Sequence, residues 1–192
     1  LNGLNLGKPV KGFSGFLKYL PAVWQEKEKY EGPAFAQKLV FLSKGSVDRI
    51  KKASLEEGQK GLLFNLSNHK VLYANGIYDK IYPASITKIM TAMLALKSGK
   101  LDDTVTITQE NVTLELAPGM GFVAGDQVTL DQLLHCLLVY SGNDAASAIA
   151  EYVGGTTENF VEMMNSYARQ LGCTGTHFTN PHGLQDENHY TT

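Results

Sequence analysis

Ser85 and Lys88 stand three residues apart in the segment Pro83-Ala84-Ser85-Ile86-Thr87-Lys88, which has the character of a helix start. Helical residues at this spacing lie on one face, with Cβ atoms about 5–6 Å apart. A serine hydroxyl becomes a good nucleophile when a base takes its proton, and lysine can be that base once burial or nearby positive charge lowers its pKa from about 10.4. Free N–H groups at a helix start also favour an oxyanion. The pair is therefore a candidate nucleophile and base, although Ser-x-x-Lys alone is a weak signal that also fits a helix-start serine beside a solvated lysine.

A second polar element, Ser141-Gly142-Asn143, follows about fifty residues later and interrupts two apolar runs that favour helices. Such a break directs polar side chains into a cleft. Spacing alone leaves two interpretations open: these residues act on a substrate, or they form a turn between helices in which Ser or Asn caps the next one.

The elements that must position Ser85 are a β-hairpin and a helix. Two strand-like runs, Gly61–Leu66 and Lys70–Ala74, surround Ser67-Asn68-His69 and predict the hairpin. The helix opened by Pro83 is expected to end at Gly99. We expect its apolar positions to bury one wide face, and these are Ile86, Ile89, Met90, Met93, Leu94 and Leu96.

A strand and three more helices are predicted downstream of Gly99. The strand, Thr104–Thr108, precedes a Gly-rich loop at 117–125 that we expect to border the cleft. The helices are expected over 133–139 after a capping box at Thr129 and Gln132, over 144–150 ending at Gly154-Gly155, and from a Thr156 or Thr157 cap to Gly172. The remaining residues, 173–192, have the composition of a polar loop.

Residues 1–57 differ in composition from the rest of the chain, with scattered Gly and Pro and a charged cluster at 25–29. Two helices are expected there, Phe35–Leu42 and Ser46–Glu57, the second with Ser46 as a possible N-cap. No chemistry is evident in this segment. We therefore expect an N-terminal extension over 1–57 that packs or links, and a separate domain over 58–192.

Composition excludes several functional classes. The chain has 192 residues, 43% hydrophobic and 19% charged, which fits a soluble globular protein of about one domain. A net charge of -2 without a basic block argues against nucleic acids and anionic membranes as partners. No apolar run reaches the roughly 18 residues of a transmembrane helix, and the first residues lack a basic region followed by a small-residue cleavage site. If the protein is exported, we expect its signal to have been removed.

No cofactor or metal is predicted. Cys136 and Cys173 are too few for a disulfide framework and lack metal-ligand spacing, and Cys136 is expected to be a buried thiol. The three histidines of the polar tail favour loop hydrogen bonds over zinc, and these are His177, His182 and His189. The Gly-rich loop lacks the following Lys-Ser/Thr of a phosphate-binding loop.

Three ordered segments resemble the low-molecular-mass penicillin-binding proteins, which are serine-type D-Ala-D-Ala carboxypeptidases among the S-x-x-K enzymes. The segments are Pro83-Ala84-Ser85-Ile86-Thr87-Lys88-Ile89-Met90-Thr91-Ala92, Ser141-Gly142-Asn143-Asp144-Ala145-Ala146, and Thr179-Asn180-Pro181-His182-Gly183-Leu184 before His189-Tyr190. The resemblance covers roughly Gly58 to Thr192 and is specific, because three motifs occur in order with similar flanks.

The resemblance implies an α+β fold of the β-lactamase/transpeptidase type, in which an N-terminal hairpin and a helical subdomain flank the catalytic cleft. It implies that Ser85 attacks the penultimate D-Ala carbonyl of a peptidoglycan stem peptide ending in D-Ala-D-Ala, that the terminal D-Ala leaves, and that water hydrolyses the acyl-enzyme. β-Lactam antibiotics would trap the same serine. Lys88 would be the general base, Ser141 would relay a proton to the leaving amine, and Asn143 would bind the substrate amide and hold Lys88.

The chain departs from the family pattern at the third motif, a Lys-Thr-Gly or Lys-Ser-Gly on a later strand that binds the substrate carboxylate. Lys97-Ser98-Gly99 has this composition but is predicted to close the nucleophile's helix. We therefore expect the last strands of the sheet to be absent and the chain to be a piece of a longer protein, or its remainder to come from a second chain. The parent protein is expected to be extracytoplasmic, with membrane contact only through a segment absent here.

Two other functions stay open at this point. A β-lactamase would share Ser85 and Lys88, but class A enzymes have Ser-Asp-Asn where this chain has Ser-Gly-Asn, which favours the peptidase. The other alternative is a non-catalytic module that binds penicillin or recognises the cell wall. The missing third motif favours this interpretation for the 192-residue chain taken by itself.

Overall fold

The computed structural model describes residues 47–48, 56–65, 67, 70–113 and 119–192. Its first sheet contains β1 (Val47–Asp48), β2 (Gly61–Asn65) and β3 (Lys70–Asn75), antiparallel and in the order β1-β3-β2. The predicted hairpin is confirmed, because β2 pairs with β3 across the expected turn. Its register shifts between Leu63 and Phe64, which indicates a bulge.

The predicted helix over Ser46–Glu57 is wrong at Val47 and Asp48, which form β1 and pair with Ala74 and Tyr73 of β3. Tertiary pairing overrides the weak helical pattern there, because β3 would otherwise expose an unpaired edge of backbone groups. The predicted helix Phe35–Leu42 lies outside the described residues. The domain boundary after residue 57 stays a prediction.

The helix predicted to open at Pro83 begins with a tight 3-10 turn, Ala84–Ile86, which contains Ser85, and continues as α1, Thr87–Ser98. It ends at Gly99, as predicted, with the left-handed φ of 70° that suits glycine. The predicted buried face is wrong at three positions, since Ile86, Ile89 and Leu96 are 67%, 57% and 54% exposed.

The buried side of α1 instead includes the polar residues Thr87, Lys88 and Thr91. Apolar periodicity misses this face, because these side chains are buried through hydrogen bonds rather than through apolar contact. Their partners belong to the functional site.

Three more helices pack around α1, and they are α2 (Leu130–Val139), α3 (Asn143–Gly154) and α4 (Thr157–Gln170). Both predicted caps are confirmed. Thr129 and Gln132 form a reciprocal capping box, and Thr156 Oγ1 accepts from the Asn159 backbone N–H at 3.1 Å.

A small second sheet precedes α2. It pairs β4 (Thr104–Thr106), shorter than the predicted Thr104–Thr108, with β5 (Gln127–Thr129), an unpredicted strand that runs directly into α2. The core between the helices is apolar, and its fully buried side chains include Leu130, Leu133, Ile149, Phe160 and Met164. Cys136 is buried there, as predicted. Among the described residues, every helix is too short or too polar to cross a membrane.

Candidate active site

The structure brings Ser85 and Lys88 into direct contact at the start of the helix. Ser85 lies in the 3-10 turn with its side chain open to solvent, whereas Lys88 is in the first turn of α1 and is only 2% exposed. The Lys88 Nζ lies 3.1 Å from the Ser85 Oγ. This distance allows proton transfer between a base and a hydroxyl.

Two fixed acceptors orient the Lys88 amine. Its Nζ donates to Asn143 Oδ1 at 2.7 Å and to the His182 carbonyl oxygen at 2.9 Å. A neutral lysine amine has two N–H groups and one lone pair. Because the two acceptors take the two N–H groups, the lone pair of neutral Lys88 is directed at the Ser85 hydroxyl.

Burial also increases the fraction of Lys88 that is unprotonated near neutral pH. Removal from water lowers the pKa of Lys88 from 10.5 to about 8, since the charged form loses hydration. At pH 7 this leaves about a tenth of the lysine unprotonated, roughly 300-fold more than for an ordinary lysine.

The second motif forms a strained turn at the start of α3. Ser141 has a φ of 60° and Ala84, beside the nucleophile, has 47°, and these are the non-glycine residues of the described chain with positive φ. Such backbone strain gathers at functional sites. Asn143 is hydrogen-bonded to Lys88, whereas among the described residues no hydrogen bond joins the Ser141 hydroxyl to Ser85 or Lys88.

Asp144 is a site-supporting residue that sequence reasoning missed. Its buried carboxylate accepts from the backbone N–H groups of Met120 at 2.5 Å and Ala145 at 2.7 Å, so it fastens the Gly-rich loop to the second motif. Burial raises the pKa of Asp144, and these N–H groups oppose the shift. A Cβ at position 119 would lie 2.6 Å from the Asp144 carboxylate, so a larger side chain than that of Gly119 would disturb this contact.

The segment expected to be a polar loop contributes directly to the site. Asn180 Oδ1 accepts from the backbone N–H groups of His182 at 3.3 Å and Gly183 at 2.6 Å, and this turn directs the His182 carbonyl at Lys88. Gly183 has a φ of 88°, and a Cβ there would lie 1.8 Å from the Ala84 carbonyl oxygen. Only glycine allows this close approach to the nucleophile's turn.

Two threonines of α1 fasten the same segment to the helix. Thr91 Oγ1 donates to the Pro181 carbonyl at 2.6 Å, and Thr87 Oγ1 lies 2.7 Å from His189 Nε2. Their spacing of four residues, which places both hydroxyls on one face of α1, is the sequence signal that could have revealed this contact.

The histidines of the tail take separate positions. His177 pairs with Tyr190, and burial together with the nearby Lys88 lowers the pKa of His182 to about 4, so this ring is neutral at pH 7. In the described part of the chain, no group of three His, Cys, Asp or Glu side chains is arranged to hold a metal. Lys97-Ser98-Gly99 closes α1, as predicted.

The geometry defines a class of protein. An exposed serine at a helix start, 3.1 Å from a buried lysine amine, is the arrangement expected from the resemblance of the sequence to the S-x-x-K serine enzymes. A family model described as D-alanyl-D-alanine carboxypeptidase matches residues 50–192. The chain belongs to this D-alanyl-D-alanine carboxypeptidase family.

Individual relatives agree with the family match. The chain is 37% identical over 144 residues to D-alanyl-D-alanine carboxypeptidase DacF of Bacillus subtilis, covering 71% of this chain and 36% of that protein. It is 35% identical over 157 residues to DacC of Escherichia coli, covering 77% and 39%. The chain thus spans less than half the length of these relatives.

Solved structures share the fold. The D-alanyl-D-alanine carboxypeptidase DacD of Francisella tularensis superposes with a TM-score of 0.67 at 34% identity, covering 75% of this chain and 36% of that one. A D-alanyl-D-alanine carboxypeptidase of Mycobacterium tuberculosis gives 0.68 at 31% identity, covering 76% and 56%. The expected α+β fold of the β-lactamase/transpeptidase type is therefore confirmed for the part of the fold that this chain contains.

Proposed function

We propose that the protein is a serine D-alanyl-D-alanine carboxypeptidase that removes the terminal D-Ala from peptidoglycan stem peptides, and that β-lactam antibiotics acylate the same serine. The observation that carries the proposal is the buried Lys88 amine, 3.1 Å from the Ser85 hydroxyl and held by Asn143 and the His182 carbonyl. The family match supports the choice of substrate.

In the proposed acylation step, neutral Lys88 takes the proton of Ser85 as Oγ attacks the carbonyl carbon of the penultimate D-Ala. The carbonyl oxygen becomes an oxyanion beside the positive end of the helix that Ser85 begins. Collapse of this intermediate breaks the peptide bond, and the departing amine of D-alanine takes up a proton. Lys88 is protonated at this stage and is its source.

Ser141 and Asn143 have different proposed roles. Ser141, on the strained turn at the cleft, relays the proton from Lys88 to the leaving amine. Asn143 holds Lys88 through Oδ1, so its Nδ2 group is the donor that binds the substrate amide. Water then attacks the ester on Ser85, with Lys88 again as the base, and the shortened peptide is released.

The proposed substrate lies outside the cytoplasm, so we propose that the protein acts on the cell-wall side of the membrane. Peptidoglycan stem peptides are its proposed partners. The net charge of -2 argues against nucleic acid as a further partner.

The test is intact mass spectrometry of the full-length protein after incubation with benzylpenicillin. We expect one covalent adduct, lost in Ser85→Ala and retained in Ser98→Ala, a matched change at the other end of the same helix. An adduct that survives in Ser85→Ala would overturn the assignment of the nucleophile.

Two further assays separate the alternatives. Release of D-alanine from a D-Ala-D-Ala peptide is expected of the carboxypeptidase, whereas a non-catalytic module would bind the peptide unchanged. Rapid turnover of a chromogenic cephalosporin would instead identify a β-lactamase.

A further inference from the structure

His189 is a buried side chain that the proposed chemistry does not use. It is 2% exposed and lies near the end of the tail, where the Phe178 ring packs edge-on at 5.6 Å. Its Nε2 lies 2.7 Å from Thr87 Oγ1, and its Nδ1 lies 3.1 Å from the backbone nitrogen of Thr179. The ring thus contacts α1 through Nε2 and another part of the tail through Nδ1.

The contacts determine which ring nitrogen carries the proton. The backbone N–H of Thr179 can only donate, so His189 Nδ1 must be an unprotonated acceptor. The proton of the neutral ring is therefore on Nε2, which donates to the Thr87 hydroxyl. Burial lowers the pKa of His189, with Asp186 raising it and His177 lowering it further, so the ring is neutral at pH 7.

Thr87 occupies a position between the nucleophile and its base. Its hydroxyl is packed against Gly183, where a Cβ would lie 3.0 Å from Thr87 Oγ1 and 1.8 Å from the Ala84 carbonyl oxygen. Thr87 is also the second residue after Ser85 and directly precedes Lys88, so a shift of Thr87 moves the backbone that joins the two. The adjacent Lys88 belongs to the same helical turn.

We propose that Thr87 and His189 form a positioning pair, in which the His189 Nε2–H holds Thr87 and thereby aligns Ser85 with Lys88 for acylation. The pair touches neither the substrate nor the reacting atoms. This inference rests on the proposed function for its kinetic consequence, whereas the alignment of Lys88 can be measured without any activity.

The kinetic test compares Thr87→Val, which removes the hydroxyl at nearly constant shape, with Thr87→Ser, which keeps it. In the full-length protein we expect Thr87→Val to slow acylation by benzylpenicillin about 10- to 100-fold, because small misalignments of reacting groups are costly. We expect Thr87→Ser to stay within about threefold of the parent, since its hydroxyl keeps the hydrogen bond. Thr176→Val is the matched control, because Thr176 makes a hydroxyl contact with Thr191 elsewhere in the tail.

A double-mutant cycle identifies the partner. His189→Phe should slow acylation as much as Thr87→Val, and combining the two should add little further loss, because both remove one interaction. His189→Gln, which can donate to Thr87, should recover part of the rate. Fully additive losses in the cycle would overturn the pairing.

The measurement independent of activity is the titration of Lys88, followed through the 13Cε resonance of lysine-labelled protein. We expect its midpoint to move in Thr87→Val and His189→Phe, and to stay at the parental value in Thr87→Ser and Thr176→Val. If the parent forms no penicillin adduct, the proposed function fails, while this titration still decides the positioning role. An unchanged Lys88 midpoint in both Thr87→Val and His189→Phe overturns the inference, whatever the kinetics.

Discussion

The helices α2 to α4 and the tail at 173–192 stabilise the same molecule by different means. The helices bury apolar side chains such as Leu130, Phe160 and Met164, each fully closed from solvent. The tail has no helix within these described residues. It contributes Phe178 to the apolar core and is fastened to α1 by single polar contacts, such as Thr91 to the Pro181 carbonyl and His189 to Thr87. Apolar contacts dominate in the first region, and directed hydrogen bonds join the second to α1.

This difference separates stability from alignment. Apolar contacts are non-directional, so a change in the helices mainly costs free energy of unfolding. Hydrogen bonds fix direction, and the tail uses them to aim the His182 carbonyl at Lys88. We therefore expect substitutions of the apolar core residues of these helices to lower stability with little effect on acylation, and substitutions of the polar contacts of the tail to slow acylation.

The largest expected effect is at Lys88, where the two regions meet. Lys88→Met keeps the length of the buried side chain but removes the base, and we expect acylation to slow about 1000-fold, within the range for general bases. The measurement is the second-order rate constant with a fluorescent penicillin. Lys97→Met, on the exposed end of the same helix, is the control and should match the parent. A loss of less than about tenfold in Lys88→Met would contradict the assignment of the base.

The next largest effect is expected from a comparison of stability and acylation after substitution of two glycines whose backbone is left-handed. Gly172→Ala, with a φ of 80° and open space around it, should cost about 1–2 kcal/mol from backbone strain alone. Gly183→Ala has similar strain, and its methyl group would also overlap the Ala84 carbonyl oxygen at 1.8 Å. We expect Gly183→Ala to cost at least about 2 kcal/mol more and to slow acylation about 100-fold in the molecules that still fold.

Denaturant unfolding and penicillin acylation of the same two glycine variants test this expectation. Equal losses of stability at Gly172 and Gly183, with acylation intact in both, would show that the tail does not need to approach the nucleophile's turn so closely.

The pH dependence of acylation sharpens the role of burial at Lys88. Since its pKa is about 8, the rate should rise about tenfold per pH unit from pH 6 and level off above pH 8, as the reactive neutral amine accumulates. The folded-state pKa is below the unfolded value of 10.5, so the unfolded state binds more protons between these values. Stability should therefore also rise with pH over this interval, relative to Lys88→Met.

Rate constants and parallel unfolding curves, both measured from about pH 6 to about pH 10.5, check both parts of this prediction. A rate that continues to rise through pH 10 would mean that Lys88 titrates as an ordinary solvated lysine.

The sequence predicts well wherever local pattern determines structure. The hairpin, the end of α1 at Gly99 and the capping box of Thr129 and Gln132 follow from turn chemistry and helix caps, and the structure contains all three. The contact between Ser85 and Lys88 could be predicted in the same way, because helical spacing places the two side chains on one face.

Long-range contacts explain what the sequence did not reveal. Val47 pairs with Ala74 across a sheet, and no local pattern shows this. The His182 carbonyl reaches Lys88 over 94 residues, and a backbone acceptor carries no side-chain signature at all. The exposed Ile86 and Ile89 show the converse, since apolar periodicity reveals a face of the helix but not which face the rest of the chain covers.

The smallest expected effect lies in the helical region and completes the comparison. Thr129→Ala removes the capping-box acceptor at the start of α2 and should cost about 1 kcal/mol, whereas Thr129→Ser should cost little because it keeps the oxygen that accepts from Gln132 at 3.1 Å. Acylation should be unchanged in both, because the cap is separated from Ser85 by the helix core. If Thr129→Ala slowed acylation as strongly as it lowered stability, then alignment would depend on the helices as much as on the tail, and the separation between the two regions would fail.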